Sequence, residues 1–432
     1  MAHIVILGAG LGGASMAYDM RAAANKGDKI TVISDSPKFS FVPSNPWVAV
    51  SWRKRGQVEI PLKKHLAKKH IGLIAVAAQR VDPAANAVEL VDGRRVEYDY
   101  LIIATGPALA FDEVPGLGPH GHTSSVCHID HAVKAAGEWE TFVADPGPIV
   151  VGAVQGASCY GPAYEHCFIM DHDLRKRGIR DKVPITFVTP EPYIGHLGLG
   201  GVGDSRGMLE RELRKHEIKW ICNAKVDTVE PGVMHVTEVD DDAQPKKTHE
   251  LPFKHSMMLP AFRGVDAVKE IDGLVNPRGF IIVDEFQRNP TYKNVFGIGV
   301  CIAIPPIEKT PLPVGTPKTG YMIESMVDAT AHNIAQAIAG KKLTHKATWN
   351  AICLADMGNT GVAFVALPQN PPRNVAWMKG GVWVHWLKRM FEWYFLRKIR
   401  KGSISPIYET YLLKLLGIRK RKVKTKAKAK TA

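Results

Sequence analysis

The chain has 432 residues, 45% of them hydrophobic, which is enough for two or three domains with complete cores. Its six cysteines are too few for a disulfide scaffold, and the absence of H-x-x-x-H and C-x-x-C pairs argues against a metal site. No apolar run reaches the roughly 20 residues of a spanning helix. No signal peptide is visible before the first predicted strand, so we expect synthesis in the cytoplasm. Much of the net charge of +14 comes from eight cations between Arg419 and Lys430.

The chain opens on a strand that runs into a glycine-rich turn. Residues 4–7 predict a buried parallel strand, Gly8, Gly10 and Gly13 fit G-x-G-x-x-G, and residues 14–20 predict a helix. In this pattern the first glycine allows a tight turn, the second lets the backbone approach a pyrophosphate, and the third lets the helix pack on the strand. The stretch therefore predicts a dinucleotide site at a helix N-terminus.

The second predicted strand covers residues 29–35. A dinucleotide fold places an acidic residue at its end, next to the ribose hydroxyls, and here Ser34 or Asp35 must serve. Residues 39–47 lack the cysteine pair of dithiol reductases of the glutathione reductase type. We therefore do not expect dithiol chemistry in that segment.

Later stretches favour FAD as the dinucleotide. An apolar strand ends in Ala-Thr-Gly, with Thr105 and Gly106, and resembles the second signature of two-dinucleotide flavoproteins. Another strand ends near Gly299, where Val300 replaces the aspartate that usually bonds the ribitol chain. Lys318, just before the next predicted helix, is placed to meet the pyrimidine edge of a flavin.

A second strand-to-helix turn lies at residues 148–159, where such flavoproteins carry a nicotinamide fingerprint. In register with Gly152, Val154 and Ala157 replace the second and third glycines. A valine side chain would block close approach of a pyrophosphate. We expect the fold to be kept and nicotinamide binding to be lost; the alternative is a tolerant NADH site.

The C-terminal region beyond residue 346 has a different character. Two amphipathic, aromatic-rich and basic helices are predicted, one near residues 382–395 and one near 407–416. They are either surface helices packed on the core or a monotopic membrane anchor, with cations on lipid phosphates. The basic tail favours the anchor on an anionic lipid surface.

Four stretches resemble one family, the bacterial sulfide:quinone oxidoreductases of acidophilic sulfur oxidisers, over nearly the whole chain. They are Phe-Val-Pro-Ser-Asn-Pro-Trp at 41–47, Gly-Ala-Ser-Cys-Tyr-Gly-Pro-Ala-Tyr-Glu at 156–165, Glu-Pro-Tyr-Ile-Gly-His-Leu-Gly at 191–198, and Asn-Ala-Ile-Cys-Leu-Ala-Asp-Met-Gly at 350–358.

The resemblance implies roles for particular residues. Cys159 and Cys353 match the redox-active pair that flanks the flavin, and Cys127 matches the third cysteine of the family. Phe391 and Tyr408 match quinone-site positions.

Three further residues, His131, His196 and Glu165, match polar active-site positions in the family. A base there would help to deprotonate hydrogen sulfide. The alternative for both histidines is a local structural role.

Sequence position alone says less about the cysteines. Cys159 is predicted in the first turns of a helix, whose dipole would lower the thiol pKa and favour the thiolate. Nothing in the sequence itself places Cys353 beside it. Cys167, Cys222 and Cys301 match no role and are expected to be structural.

The fold class predicted is α/β, with two Rossmann-like dinucleotide-binding domains of glutathione-reductase-like architecture and a C-terminal amphipathic helical membrane-attachment region. The predicted boundaries are 1–112 and 283–345 for a split FAD domain, 113–282 for the degenerate second domain, and 346–432 for the quinone-site and anchor region.

The implied reaction is two-electron oxidation of sulfide to zero-valent sulfur or polysulfide, with FAD passing the electrons to a membrane quinone. Sulfide, quinone and anionic lipid are the expected partners; nucleic acid is not expected, and a homo-oligomer is left open. The protein should be peripheral on the cell membrane. Rival functions are a type II NADH:quinone oxidoreductase, the flavoprotein subunit of a sulfide dehydrogenase that reduces a cytochrome c, and an FAD-binding redox sensor without enzyme activity.

Overall fold

The computed structural model describes residues 1–402. Its first unit surrounds a five-stranded parallel sheet whose neighbouring strands are, in order, Val295–Gly297, Tyr100–Ile103, His3–Leu7, Lys29–Ile33 and Gly72–Ile74. Strands β1, β2 and β9 are runs of apolar residues because helices or other chain segments cover both sheet faces. The elements up to residue 112 are β1 (His3–Leu7), α1 (Leu11–Ala23), β2 (Lys29–Ile33), β3 (Lys38–Ser40), α2 (Asn45–Ala49), α3 (Arg55–Val58), β4 (Glu59–Pro61), α4 (Leu62–Ala67), β5 (Gly72–Ile74), β6 (Ala78–Asp82), β7 (Ala87–Leu90), β8 (Arg95–Glu97), β9 (Tyr100–Ile103) and β10 (Ala108–Ala110).

The second unit repeats the parallel plan with a four-stranded sheet in the order β13-β12-β11-β17. A three-stranded antiparallel sheet, β14-β15-β16, is inserted before β17. Its elements are α5 (Ile129–Ala144), β11 (Ile149–Ala153), α6 (Gly161–Lys176), β12 (Ile185–Val188), α7 (Ser205–Lys215), β13 (Ile218–Ile221), β14 (Ala224–Glu230), β15 (Val233–Val239), β16 (Pro245–Pro252), β17 (His255–Leu259) and β18 (Ala261–Arg263).

The chain then returns to the first unit. Strand β19 (Val295–Gly297) pairs with β9, and helix α8 (Gly320–Ile338) packs on α1. Both helices join the core that covers the first sheet, where Met16, Met20, Met322 and Met326 are fully buried. Because strand and helix come from a distant part of the chain, the first unit is discontinuous in sequence.

The C-terminal region opens with an antiparallel sheet that the sequence analysis did not predict. Strands β20 (Ala351–Asp356), β21 (Gly361–Leu367) and β22 (Val375–Gly380) form it, and helix α9 (Val382–Lys401) follows. Within residues 1–402 no helix is both long and apolar enough to cross a membrane. The second predicted amphipathic helix, Tyr408 and the basic tail lie outside the described residues.

The predicted fold class is confirmed by this architecture. The domain boundaries stay predictions.

Candidate active site

The glycine turn after β1 forms an open cradle at the N-terminus of α1. A Cβ on Gly8 would strike the carbonyl oxygen of Ala104, and one on Gly13 would strike the carbonyl oxygen of Gly8, so both positions need glycine. A Cβ on Gly10 would meet nothing within 4 Å, so the space above this turn is open. These residues fit the pyrophosphate of FAD, whose charge the free N–H groups of α1 would meet.

The other predicted cofactor residues surround the same turn. Ser34 and Asp35 follow β2, which pairs with β1, and Thr105 and Gly106 follow β9 on its other side. Because these strands are parallel, their carboxyl ends lie at one edge of the sheet. Ser34 is buried and Asp35 is exposed, so the carboxylate is the more accessible partner for a ribose.

Lys318 and Gly299 complete the predicted cofactor set. Gly299 has φ +80° with open space beside its Cα, and its N–H faces the sulfur of Met326 at 3.3 Å. The ammonium of Lys318 lies 4.5 Å from the ring centre of Phe280. Burial lowers the pKa of Lys318 to about 8, against the opposing influence of Cys301 and Cys159. A lysine in this setting holds a mobile proton near neutral pH.

The degenerate second fingerprint differs from the first in two ways. Helix α1 begins at Leu11, soon after β1 ends at Leu7, whereas α6 begins only at Gly161 after β11 ends at Ala153. The side chain of Val154 is buried in a hydrophobic cluster with Val188 and other residues. Helix α6 therefore begins too far along the chain to stand directly above this turn, and the valine is part of the core.

Three cysteines from separate elements converge near the start of α6. Cys127 lies just before α5, Cys159 just before α6, and Cys353 in the middle of β20. A Cβ on Gly161 would lie 3.5 Å from the sulfur of Cys353, so the glycine leaves room for that sulfur at the helix N-terminus. The thiol of Cys159 responds electrostatically to both Cys353 and Cys127. All six cysteines of the chain are free thiols in the structure.

Burial sets the acidity of these thiols. It raises the pKa of Cys159 to about 12, with further increases from Cys353, Cys127 and Glu165. It also raises the pKa of Cys353 to about 12 and that of Cys127 to about 11. The prediction that a helix dipole lowers the pKa of Cys159 is wrong, because desolvation and neighbouring sulfurs outweigh the dipole. As free thiols, all three stay protonated at neutral pH.

A buried ion pair adjoins the cysteines. Lys388 of α9 donates to the carboxylate of Glu165 on α6, and both side chains are almost fully buried. Burial raises the pKa of Glu165 to about 7, although Lys388 opposes the shift. Glu165 acts electrostatically on both Cys159 and Cys353. A carboxyl that titrates near neutral pH next to reactive sulfur is suited to proton transfer.

The two predicted histidines have other neighbours. His131, on α5, contacts the rings of Phe111 and His128. His196 is buried and pairs with Glu308 at 2.8 Å. Among the described contacts neither histidine touches a cysteine, and burial lowers the pKa of both. Their catalytic roles stay predictions.

Residues that the sequence analysis did not select connect the site to α9. Asp356, at the end of the cysteine-bearing β20, is fully buried and accepts a hydrogen bond from the indole N–H of Trp47 at 2.7 Å. Its other oxygen lies 2.7 Å from Nδ1 of His385 on α9. Glu392 of α9 pairs with Arg53 at 3.2 Å. These bonds tie the segment after β3 and the cysteine strand to one helix.

Helix α9 presents two apolar faces, which the sequence analysis treated as one. Val384, Lys388, Phe395 and Ile399 recur at helical spacing and point into the protein. Not all cations of this helix can face lipid phosphates, as the anchor interpretation implied, because Lys388 and Lys398 are buried; Lys398 pairs with Glu324 at 2.8 Å. The helical spacing of this inner face can be read from the sequence. The sequence does not show, however, that Lys388 pairs with the buried carboxylate of Glu165.

The outer face of α9 is exposed and apolar. Fractional exposure is 56% for Trp386, 61% for Met390 and 62% for Trp393. The guanidinium of Arg389 lies 5.0 Å from the ring centre of Trp386, and that of Arg397 lies 5.4 Å from that of Trp393. Large apolar side chains with cations stacked on them are typical of a surface that meets a lipid boundary.

The predicted quinone residue Phe391 lies between these faces. Its ring is 5.5 Å from that of Phe41 and 4.7 Å from that of Phe395. Its edge approaches Gly320 at the start of α8, two residues after Lys318. A cluster of aromatic rings thus lies between the start of α8, near Lys318, and the exposed face of α9.

Comparison with known proteins agrees with this geometry. Residues 2–154 match the family model described as pyridine nucleotide-disulphide oxidoreductase. The sulfide-quinone reductase of Aquifex aeolicus is 43% identical over 96% of this chain and 94% of its own length. The X-ray structure of the Aquifex aeolicus enzyme matches 96% of this chain and 95% of that chain with a TM-score of 0.91.

More distant matches are weaker in sequence. The mitochondrial sulfide:quinone oxidoreductase of Dictyostelium discoideum is 27% identical, covering 79% of this chain and 72% of that protein. The NDH2 structure from Plasmodium falciparum matches at a TM-score of 0.69 over 97% of this chain and 99% of that chain, but with 13% identity, so it shows the fold alone. The extent of the Aquifex match settles the family: the chain belongs to the sulfide:quinone oxidoreductases.

Proposed function

We propose that this chain oxidises sulfide through the pair Cys159 and Cys353 and delivers the electrons to a quinone near Phe391. Sulfide:quinone oxidoreduction is the activity of the family, and FAD is its cofactor. The observation that carries the assignment of residues is the convergence of Cys159, Cys353 and Cys127 beside Glu165 and Lys318. The cysteine substitutions in the Discussion test it.

The two main cysteines are proposed to work as a bridge between sulfurs. A hydrosulfide anion attacks the sulfur of Cys159, the bond to Cys353 breaks, and Cys353 leaves as a thiolate. The new sulfur stays on Cys159 as a persulfide, so this exchange conserves electrons: the incoming sulfur is oxidised and the bridge is reduced. FAD, when bound, supplies the two-electron acceptor that re-oxidises the pair. Repetition of the exchange lengthens the sulfur chain that leaves as product.

Two nearby cations offset the raised pKa values of the paired thiols. Burial raises the pKa of both Cys159 and Cys353 to about 12, so the leaving thiolate needs stabilisation. Lys388 lowers the pKa of Cys353 and Lys318 lowers that of Cys159. Each cysteine therefore has its own nearby cation to stabilise negative charge while it forms.

Glu165 is proposed to accept the proton of hydrogen sulfide. Its pKa is raised to about 7, so a substantial fraction is ionised at neutral pH and can act as a base. Cys127, His131 and His196 are proposed to assist the loading or release of sulfur. The role of Cys127 is supported by its electrostatic effect on the pKa of Cys159. The roles of the two histidines are supported only by the family resemblance.

Attachment to a membrane is proposed through the outer face of α9. Its exposed Trp386, Met390 and Trp393 would enter the lipid boundary, while Arg389 and Arg397 stay with the phosphates. The quinone then reaches Phe391 from the lipid side, whereas sulfide reaches the cysteines from water. Contact of Tyr408 with the quinone and association of several copies stay predictions.

The cofactor cradle gives one prediction. Gly10→Val should yield a folded but colourless protein, because the open space next to Gly10 lets the valine fit while its side chain occupies the pyrophosphate position. The flavin absorbance of the purified protein and its thermal unfolding are measured together. Gly137→Val is the control, since Gly137 is exposed and also has nothing within 4 Å of its Cβ position. Full flavin content in Gly10→Val would contradict the cradle.

The degenerate fingerprint gives a second prediction. Sulfide should bleach the flavin rapidly and NADH poorly, because Val154 is part of the core and α6 begins too late to receive a pyrophosphate. Anaerobic stopped-flow absorbance with each reductant measures this. Fast bleaching by micromolar NADH would favour the type II NADH:quinone oxidoreductase instead.

The ion pair gives a pH prediction. Lys388 lowers the pKa of Glu165, so Lys388→Met should raise that pKa and move the acid limb of the pH–rate profile to higher pH. The Glu165→Gln variant should show no acid limb in its pH–rate profile, and its flavin should be bleached slowly at every pH. The rate of flavin bleaching by sulfide is followed from about pH 6 to 9 beside the wild type, so that the ionisation of sulfide itself cancels.

Lys398→Met is the control for this series, because it breaks the other buried lysine–glutamate pair of the same helix. It should lower stability without moving the acid limb. If the Lys388→Met variant binds flavin and the acid limb of its pH–rate profile lies where it does in the wild type, Glu165 is not the base.

A further inference from the structure

A cluster of cations on α4 lies outside the site described above. Lys63, Lys64, Lys68 and Lys69 belong to this helix or to the turn that follows it, and all four are exposed. None of them forms an ion pair within residues 1–402. The sequence from residue 62 to 81 contains no Asp or Glu. The charge of this segment is therefore uncompensated.

The α4 cluster is joined to the end of α9. Nδ1 of His65 lies 2.7 Å from the carbonyl oxygen of Arg400. The side chain of Lys69 reaches within 2.9 Å of the Cβ position of Gly402, the residue that caps α9. Helix α4 thus meets the C-terminal end of α9, at Arg400 and Gly402. We call the four lysines with Arg397, Arg400 and Lys401 the basic collar.

The basic collar continues the exposed apolar face of α9. Arg397 follows Trp393 by one turn and Arg400 by two, so both lie on the side of Trp393. Arg397 also stacks on the ring of Trp393 at 5.4 Å. The surface therefore passes from tryptophan and methionine to cations without an acidic side chain between them, since residues 393–402 contain none.

A role in the stability of the fold explains only some of the cations in the basic collar. Cations in the last turn of α9 stabilise the negative end of its dipole, which accounts for Arg400 and Lys401. Lys64 lies in the last turn of α4 and meets the negative end of that dipole in the same way, but the dipole of a six-residue helix accounts for little of the charge of four exposed lysines. Lys63, Lys64, Lys68 and Lys69 form no ion pair within residues 1–402, and like charges this close repel one another.

We propose that the basic collar binds the headgroups of anionic lipids and so sets the orientation of the enzyme on the bilayer. This rests on the proposed attachment through α9 and adds a second contact, made by α4 in the first unit. Apolar side chains that enter the lipid beside cations at headgroup depth are the arrangement that an anionic membrane surface recognises. A nucleic acid would not use the exposed tryptophans and methionine of the neighbouring face in this way.

The test compares two variants of the full-length holoenzyme with equal loss of charge. Lys63, Lys64, Lys68 and Lys69 are changed to Gln in one; Lys176, Lys182, Lys219 and Lys247, exposed lysines of the second unit, are changed to Gln in the control. Binding is measured by co-sedimentation with phosphatidylcholine vesicles, with and without about 30% phosphatidylglycerol, at low and near-physiological salt. Turnover with a short-chain quinone in detergent is measured in parallel.

We expect the wild type to favour the anionic vesicles at least about 100-fold, because the four lysines and the arginines of α9 all contribute. Each lysine near the surface contributes a factor of about five, so after screening the α4 variant should bind anionic vesicles at least about 30-fold more weakly. Its binding to neutral vesicles and its turnover in detergent should equal those of the wild type. The control should stay within about threefold of the wild type on both kinds of vesicle.

Three results would overturn the proposal: equal binding of the wild type to both vesicles, an α4 variant that binds anionic vesicles like the wild type, or a control that loses as much as the α4 variant. Displacement from anionic vesicles by mixed-sequence duplex DNA at equal phosphate concentration would overturn it in favour of nucleic acid. If the wild type shows no sulfide-dependent turnover with the short-chain quinone in detergent, the proposed function is refuted. Selective binding of the wild type to anionic vesicles would still support the basic collar in that case.

Discussion

Cys159→Ser and Cys353→Ser are each expected to lose nearly all sulfide-dependent quinone reduction. A bridge needs both sulfurs, and a serine hydroxyl can neither form a disulfide nor leave as a thiolate. The double variant should be no worse than either single variant, because one change already destroys the shared intermediate. Steady-state quinone reduction with sulfide is the measurement.

Both variants should keep FAD, because neither residue belongs to the glycine turn at Gly8, Gly10 and Gly13. Cys127→Ser should be milder and only slow turnover, since Cys127 is proposed to assist the loading or release of sulfur and is not part of the bridge. Cys222→Ser is the control and should be near neutral. A Cys353→Ser enzyme that holds FAD and keeps more than about a tenth of wild-type turnover, a barrier change below roughly 1.4 kcal/mol, would refute the cysteine mechanism.

The second large effect is expected from the outer face of α9. Changing Trp383, Trp386, Met390 and Trp393 together to Gln should release the protein from membranes. An apolar side chain of this size contributes about 1.5–3 kcal/mol when fully buried, so even partial insertion of four gives about 4 kcal/mol, on the order of a thousandfold in partitioning. Flavin content should be unchanged, because all four side chains point away from the core.

Co-sedimentation with membranes measures this loss, and Val91→Gln with Val133→Gln is the control, since both valines are exposed elsewhere. A variant that sediments with lipid like the wild type would remove α9 from the anchor. Truncation before Gly380 would be a poorer test, because it does more than remove the outer face of α9. It would also remove Phe395 and Ile399 from the core and leave Glu165 and Glu324 without their lysines.

Local patterns were enough to predict the conformation of the glycine turn after β1. Each requirement at Gly8, Gly10 and Gly13 concerns atoms a few residues away or on the neighbouring strand, so spacing alone encodes the geometry. The loss of the nicotinamide fingerprint at Val154 was likewise visible in sequence, and its burial gives the reason.

Contacts between distant segments were not predictable in the same way. Glu165 and Lys388 are 223 positions apart, and no local signal pairs them. Cys353 was linked to Cys159 only through the family resemblance, because the strand that carries it belongs to a sheet that the sequence did not reveal. The predicted direction of the pKa shift of Cys159 was wrong for a related reason. A helix dipole can be inferred from local sequence, whereas desolvation depends on all the residues that pack around the sulfur.

The most direct test of the central claim is to locate the first sulfur that the enzyme binds. The holoenzyme is mixed anaerobically with isotope-labelled sulfide, blocked with a thiol reagent, digested and examined by peptide mass spectrometry. The mechanism predicts labelled persulfide on the peptide that contains Cys159, and none on the peptide of Cys222. Label confined to Cys222 or Cys167, or flavin bleaching with no label on Cys159, Cys353 or Cys127, would contradict it.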